Sequence, residues 1–166
     1  MKSTIRVLIV DDSAVYREFL SHLLGSDPQI EIAGAVRDGA SAFEAVAALR
    51  PDVITMDINL PGINGYDVTR RIMESSPTPI VVVSAADNAG DVEMSFRAME
   101  SGAVAVVSKP RGGDSPGSAA QSRELIQMVK LMAEVKVVRR WSRKPGPPIV
   151  APVAQAALGP HVTPPR

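Results

Sequence analysis

Five short apolar runs are spread along the chain, and polar or turn-forming residues bound each of them. Continuous apolar runs of this length, rich in β-branched residues, are typical of strands that are buried on both faces of a parallel sheet. The pattern therefore predicts five strands, at Arg6–Val10, Ile30–Val36, Val53–Met56, Ile80–Val83 and Ala103–Val107.

The segments between these runs carry apolar residues at helical spacing. In the first, apolar side chains recur from Tyr16 to Leu24, and Gly25 ends the helix. The last helix is predicted over Gln121–Trp141, where apolar residues cover more than the single stripe of about 100° that packing against one sheet requires. The excess indicates either a second buried contact or a helix that extends beyond the domain.

Five strands that alternate with five helices predict an α/β fold. Right-handed crossovers between parallel strands place helices on both faces of a doubly wound, five-stranded parallel sheet. We expect the flavodoxin-like strand order 2-1-3-4-5, in which functional residues lie at the carboxyl ends of the strands.

The end of the chain differs from the rest in composition. The 166 residues suffice for one domain with an appendage, and from Pro145 onward 7 of 22 residues are proline. We predict a domain over 1–142, including the long last helix, and a Pro-rich disordered linker or tail over 143–166.

Residues 1–110 hold 9 basic and 15 acidic side chains, whereas residues 111–166 hold 9 basic and 3 acidic ones. The basic end is compatible with a solvated linker or an anionic partner, but no nucleic acid is expected because no helix-turn-helix follows it.

Several classes of site are excluded by composition. The chain has no cysteine and only two histidines, His22 and His161, so thiolate metal sites and polyhistidine sites are ruled out. The sequence has no uncharged apolar run of about 18 residues and no signal-peptide core, so we expect a cytoplasmic protein without a membrane partner. It also lacks the phosphate-binding loop that would mark an ATP site.

Charged and polar residues follow the predicted strands at their carboxyl ends. Asp11 and Asp12 follow the first strand, Asp57 the third, Ser84 the fourth and Lys109 the fifth. Crowded carboxylates repel one another, and partial protonation or solvent exposure would relieve that repulsion. A hard divalent cation with oxygen ligands would relieve it better, and Mg²⁺ suits a site of few carboxylates and several waters. With Mg²⁺, the Lys109 ammonium and the Ser84 hydroxyl could hold a phosphoryl group, and a carboxylate is a recognised nucleophile for phosphoryl transfer.

These residues belong to five motifs that resemble the receiver domain of two-component response regulators. In order, the motifs are Val7–Ser13, Pro51–Asp57, Leu60–Gly65, Val81–Ala85 and Ser108–Pro110. Details around them are most similar to the receiver of chemotaxis protein-glutamate methylesterases.

The resemblance implies a role for each site residue. Asp57 would be the phosphoacceptor, Ser84 the switch hydroxyl and Lys109 the lysine that contacts the phosphoryl group. Mg²⁺ would be bound by Asp11, Asp12, Asp57 and the backbone carbonyl of Asn59, with Asp11 acting through water. A cis peptide is expected at Lys109–Pro110.

The resemblance also implies partners. A sensor histidine kinase would supply the phosphoryl group, and an output domain or partner would bind the face formed by the fourth helix, fifth strand and fifth helix. Val106 stands three residues before Lys109, where receivers often carry an aromatic side chain that moves with the switch hydroxyl. The glycine-rich nucleophile turn of the methylesterase has no counterpart in these 166 residues.

Three functions stay open from the sequence. The first is a phosphorylatable switch that regulates a methylesterase domain or another partner. The second is a free-standing receiver that acts as a diffusible adaptor or a phosphate sink. The third is a small-molecule enzyme or flavin-binding module on the same fold, which the acids after the first strand disfavour. Whether the chain counts as an enzyme, through self-phosphorylation and hydrolysis of its own phosphoryl group, is also open.

Overall fold

A computed structural model describes residues 4–85, 91–114 and 116–139. Five parallel strands form one sheet in the order β2-β1-β3-β4-β5, as predicted. The strands are β1 (Ile5–Val10), β2 (Ile30–Val36), β3 (Val53–Met56), β4 (Ile80–Ser84) and β5 (Ala105–Ser108). β5 begins two residues later than predicted because Ala103 still donates a backbone hydrogen bond to Ala98 of the preceding helix.

Five helices connect and cover the strands. They are α1 (Ala14–Gly25), α2 (Gly39–Leu49), α3 (Gly65–Ser75), α4 (Asp91–Ser101) and α5 (Pro116–Met132). Side chains of α1 and α5 share one apolar cluster with the sheet, and those of α2 and α3 share another on the opposite face. A third cluster joins Tyr66 of α3 to Ala98 of α4. None of the described helices combines the length and the apolar character needed to cross a bilayer.

The predicted bounds of the last helix are wrong. α5 begins at Pro116 and ends at Met132, and residues 135–139 are not helical. Val137 instead packs against the cluster under α2 and α3, on the face opposite α5. The Arg139 guanidinium donates a hydrogen bond of 3.2 Å to the carbonyl oxygen of Ser75, at the end of α3.

The apolar residues predicted to form one wide stripe on the last helix therefore pack on two faces of the sheet. The chain leaves α5 and crosses to the other face before Arg139, so the second buried contact is made by a segment after the helix. Trp141 and the predicted boundary at residue 142 lie outside the described residues, and the division into 1–142 and 143–166 stays a prediction.

Candidate functional site

Three carboxylates meet at the carboxyl edge of the sheet because β1 and β3 are hydrogen-bonded neighbours. The Asp57 amide donates to the Val10 carbonyl at 2.9 Å, which places Asp57 beside the end of β1. One oxygen from each of Asp11, Asp12 and Asp57 lies within 4.8 Å of the others. Asp11 is 1% and Asp57 3% exposed, whereas Asp12 faces solvent. The sequence prediction of an acidic cluster at this edge is confirmed.

The backbone next to the acids fixes their orientation. The amide of Ser13 donates to Asp11 Oδ1 at 2.9 Å, and the amide of Asn59 donates to Asp57 Oδ1 at 3.2 Å. Arg17 donates from its guanidinium to the Asp11 carbonyl at 2.8 Å. These contacts leave the Oδ2 atoms of Asp11 and Asp57 directed toward other partners.

α3 begins directly behind Asp57, and only glycine fits there. A Cβ on Gly65 would lie 2.2 Å from the Asp57 carbonyl oxygen. The Gly65 amide donates to the Ile58 carbonyl at 2.8 Å, which closes the turn between β3 and α3. The turn motif around Gly65 therefore holds the backbone of Asp57 in place.

Lys109 supplies the cation of the site. Its Nζ lies 2.8 Å from Asp11 Oδ2 and 3.1 Å from Asp57 Oδ2. Burial acts to lower the pKa of Lys109, but the hydrogen bond to Asp11 and the charge of Asp57 raise it above its ordinary value. Burial raises the pKa of Asp57, and the charge of Asp11 adds to this, while the Lys109 charge opposes it. One ammonium among three carboxylates leaves the site formally negative.

The expected cis peptide at Lys109–Pro110 is wrong, because none of the described peptide bonds is cis. Strand pairing positions Lys109 instead. Ser108 pairs with Ser84, and the Lys109 amide donates to the Ser84 carbonyl at 2.8 Å. This register brings Lys109 to the acids with a trans bond.

Ser84 and Asn59 both lie at this edge of the sheet, but they differ in burial. Ser84 is buried at the end of β4, beside Ser108 of β5. Asn59 is exposed, and it touches the acids through its backbone amide.

Sequence reasoning missed Tyr16, which it assigned to the core stripe of α1. The Lys109 ammonium lies 4.5 Å from the centre of the Tyr16 ring, and the Tyr16 hydroxyl donates to the Pro110 carbonyl at 3.2 Å. Burial, and then the charges of Asp11 and Asp57, raise the pKa of Tyr16, so its hydroxyl stays protonated. A tyrosine at helical spacing from Phe19 has no local signal that separates this role from core packing.

The chemistry of the site suits a hard divalent cation. Carboxylate oxygens are the ligands that Mg²⁺ prefers, and it commonly binds to one or two carboxylates and retains water. The exposed carboxylate of Asp12 also lines an open groove of about 630 Å³ with Arg37 and Pro61.

Comparison with known proteins places this site in context. The profile of the response regulator receiver domain matches residues 7–115. A protein-glutamate methylesterase/protein-glutamine glutaminase of Syntrophus aciditrophicus is 55% identical over 141 residues, which are 85% of this chain and 40% of that protein. The corresponding protein of Nitrosospira multiformis is 46% identical over 98% of this chain and 46% of its own length. The chain thus spans less than half the length of these curated relatives.

A solved structure shows the same likeness. The response regulator domain of Thermotoga maritima CheB is 35% identical, with a TM-score of 0.70 over 80% of this chain and 98% of that one.

Proposed function

Because this chain belongs to the response regulator receiver domain family, we propose that Asp57 accepts a phosphoryl group from a sensor histidine kinase. The observation that carries the proposal is the surroundings of Asp57, a buried carboxylate with Lys109 at 3.1 Å and two further acids beside it. This setting suits a nucleophile whose product gains negative charge and needs cations around it. Family membership also favours a receiver over a small-molecule enzyme or a flavin-binding module.

In the proposed reaction an oxygen of Asp57 forms a bond to phosphorus. The bond from phosphorus to the imidazole nitrogen of the donor breaks, and its electron pair leaves with the imidazole. Asp11, Asp12, Asp57 and the Asn59 carbonyl would hold Mg²⁺, which neutralises charge on the phosphoryl oxygens when bound. Lys109 turns from Asp57 Oδ2 to a phosphoryl oxygen, and the Ser84 hydroxyl donates to another. We expect this exchange to take place in the cytoplasm.

The proposed output is a change on the face of α4, β5 and α5. Val92, Phe96 and Met99 form an exposed apolar stripe along α4, with Phe96 at 68% exposure. Phosphorylation adds roughly −1.5 to −2 charges, and Lys109 and Ser84 move with them. Those two residues end β5 and β4, so their movement reaches α4 and α5 through the loops that follow.

The output partner is proposed to be a methylesterase domain. The support is that the curated relatives are protein-glutamate methylesterases of which this chain matches 40% and 46%. A free-standing receiver that serves as an adaptor or phosphate sink would use the same site without such a domain.

Mass spectrometry tests the phosphoacceptor. Acetyl phosphate with Mg²⁺ should add one phosphoryl group, about 80 Da, to the wild-type chain through attack by a carboxylate. Asp57→Asn should not be labelled. Label on Asp12 or Ser84 in the wild type would refute the assignment, and so would an unlabelled wild type.

A further inference from the structure

The ring of Tyr16 is a third partner of the Lys109 ammonium, besides the two acids. Asp11 and Asp57 contact Nζ at 2.8 and 3.1 Å, and the Tyr16 ring lies 4.5 Å from it. An ammonium within about 6 Å of an aromatic ring centre is attracted to the ring face, and the attraction is stronger where water is excluded. The cation therefore has two carboxylates and one aromatic face as partners.

The hydroxyl of Tyr16 makes a second, separate contact to the same loop. It donates to the Pro110 carbonyl at 3.2 Å, one residue beyond Lys109. The ring binds the end of the Lys109 side chain while the hydroxyl binds the adjacent backbone. Together they link α1 to the loop between β5 and α5, two elements that are 94 residues apart at this contact.

Tyr16 is itself held in position. The ring centre of Phe19 lies 5.6 Å from that of Tyr16, and both side chains pack against the cluster beneath α1 and α5. The Tyr16 amide donates to Ser13 Oγ at 3.2 Å, within the cap of α1. A ring that is carried by a helix and packed against the apolar cluster can restrain a flexible lysine, and Phe19→Leu keeps an apolar neighbour beside that ring.

We propose that Tyr16 is a positioning residue for Lys109, which holds the ammonium beside Asp57 before phosphoryl transfer and keeps the Lys109 loop fixed to α1. This inference rests on the proposed function, because Lys109 is positioned for the phosphoryl group that Asp57 accepts. A lysine side chain has four rotatable bonds, and restricting them in advance removes part of the entropic cost of the contact. The contact requires Nζ to stay over the ring face within about 6 Å of its centre but does not fix which way the ammonium hydrogens point, so Lys109 can turn toward a phosphoryl oxygen while it stays beside the ring.

Four proteins separate positioning from packing: wild type, Tyr16→Phe, Tyr16→Leu and the control Phe19→Leu. Tyr16→Phe keeps the ring and loses the hydroxyl, and Tyr16→Leu loses both. Phe19→Leu removes the neighbouring aromatic ring of the same cluster and leaves the ring that lies against Lys109. All four are studied as the full chain.

The first measurement is the proton chemical shift of the Lys109 ε-methylene, which a ring face moves upfield. We expect the upfield shift in wild type, Tyr16→Phe and Phe19→Leu, and its loss in Tyr16→Leu. The second is the affinity for beryllofluoride, a phosphoryl mimic, in the presence of Mg²⁺. Tyr16→Leu should weaken it about threefold to tenfold, the range of a partly desolvated cation–π contact. Tyr16→Phe should stay near wild type, with faster hydrogen exchange in residues 111–114.

Failure of the positioning role and failure of the proposed function give different results. If acetyl phosphate labels wild-type Asp57 but Tyr16→Leu keeps the wild-type affinity, only the positioning role is overturned, whether or not the upfield shift is lost. An equal loss of affinity in Phe19→Leu would also overturn it, because general packing would then explain the effect. If wild type is not labelled at Asp57, the proposed function fails and this inference fails with it.

Discussion

Lys109 and Asp57 show how one residue pair can serve two states of a site. The ammonium contacts both Asp11 and Asp57, which limits the repulsion between two buried carboxylates. Burial, and to a smaller extent repulsion from Asp11, still raise the pKa of Asp57. The pair is therefore only partly compensated, and an additional cation has a favourable place to bind.

Asp57→Asn should stabilise the metal-free protein at neutral pH. Because the pKa of Asp57 is raised by folding, the folded state holds its proton to higher pH than the unfolded state. The stability that this proton contributes is present below the pKa of Asp57 in the unfolded chain. It is lost as the pH rises through the higher pKa of Asp57 in the folded protein. In EDTA, the variant should have a higher Tm than wild type at pH 7, and the two should converge in acid.

Asp38→Asn is the control for that comparison. A hydrogen bond from the Ser41 backbone lowers the pKa of Asp38, which caps α2, so its charge favours folding at neutral pH. This variant should show no gain in Tm. An Asp57→Asn protein less stable than wild type in EDTA would contradict the proposed cost of the buried charge.

Lys109→Ala should tighten Mg²⁺ binding. The substitution removes a cation that contacts Asp11 and Asp57, so the affinity measured by calorimetry should rise by at least about threefold. Asp12→Ala should abolish binding because it removes the exposed member of the acidic cluster. Equal affinities in wild type, Lys109→Ala and Asp12→Ala would rule out a metal site at these acids.

At the scale of elements, α4 presents three large apolar residues to solvent in one stripe, whereas among the described residues α1 exposes Val15 and α5 exposes Leu131. The inner side of α4 packs through Ala98, and Arg97 lies 4.8 Å from the centre of the Tyr66 ring of α3. Tyr66 of α3 and the strand residues Val82 and Val106 belong to the same cluster as Ala98, so α4 packs against both α3 and the sheet there. Because Val106 is not aromatic, movement of α4 depends on its packing against Tyr66 and on backbone shifts.

Phe96→Ser should weaken phosphorylation-dependent binding of a methylesterase domain supplied as a separate chain. The free energy of unfolding should change by no more than about 0.5 kcal/mol, since the side chain is exposed. Val15→Ser on α1, at 80% exposure, is the matched control and should leave binding unchanged. Fluorescence anisotropy with and without beryllofluoride measures both, and equal losses in the two variants would contradict the α4 surface.

At the scale of the whole molecule, the segment after α5 joins the two faces of the sheet. Val137 packs under α2 and α3, and Arg139 binds the end of α3 through the Ser75 carbonyl. Lys130 of α5 also contacts Asp27 at 3.1 Å, in the loop after α1. The described chain therefore ends beside the last residues of α3.

Val137→Asp should lower the free energy of unfolding by about 1–2 kcal/mol, because it places a charge where an apolar side chain was partly buried. Val138→Asp changes the neighbouring residue, which is 77% exposed, and should cost no more than about 0.5 kcal/mol. Urea denaturation of the full chain measures the difference. Equal costs would mean that the segment does not pack against the domain in solution.

The sequence by itself determined the sheet and the acidic cluster. Buried strands such as Val53–Met56 carry no charged residue along their length, so a charged residue directly after one marks the end of the strand. Strand order then brings Asp57 beside Asp11 and Asp12, because their strands are neighbours. Patterns of this kind are local, and a short stretch of sequence contains them completely.

Only the tertiary structure decided how distant segments meet. Tyr16 and Lys109 are each unremarkable in their own segments, and their contact depends on how α1 lies beside the loop after β5. The end of α5 at Met132 is equally hidden, because Val135 and Val137 continue an apolar pattern that either a longer helix or a crossing segment would satisfy. The position of the Lys109 side chain depends on the pairing of Ser108 with Ser84 rather than on the Lys109–Pro110 bond. In each case the free energy of a contact between residues far apart in the chain decides the structure. The local periodicity of apolar residues contains no information about such contacts.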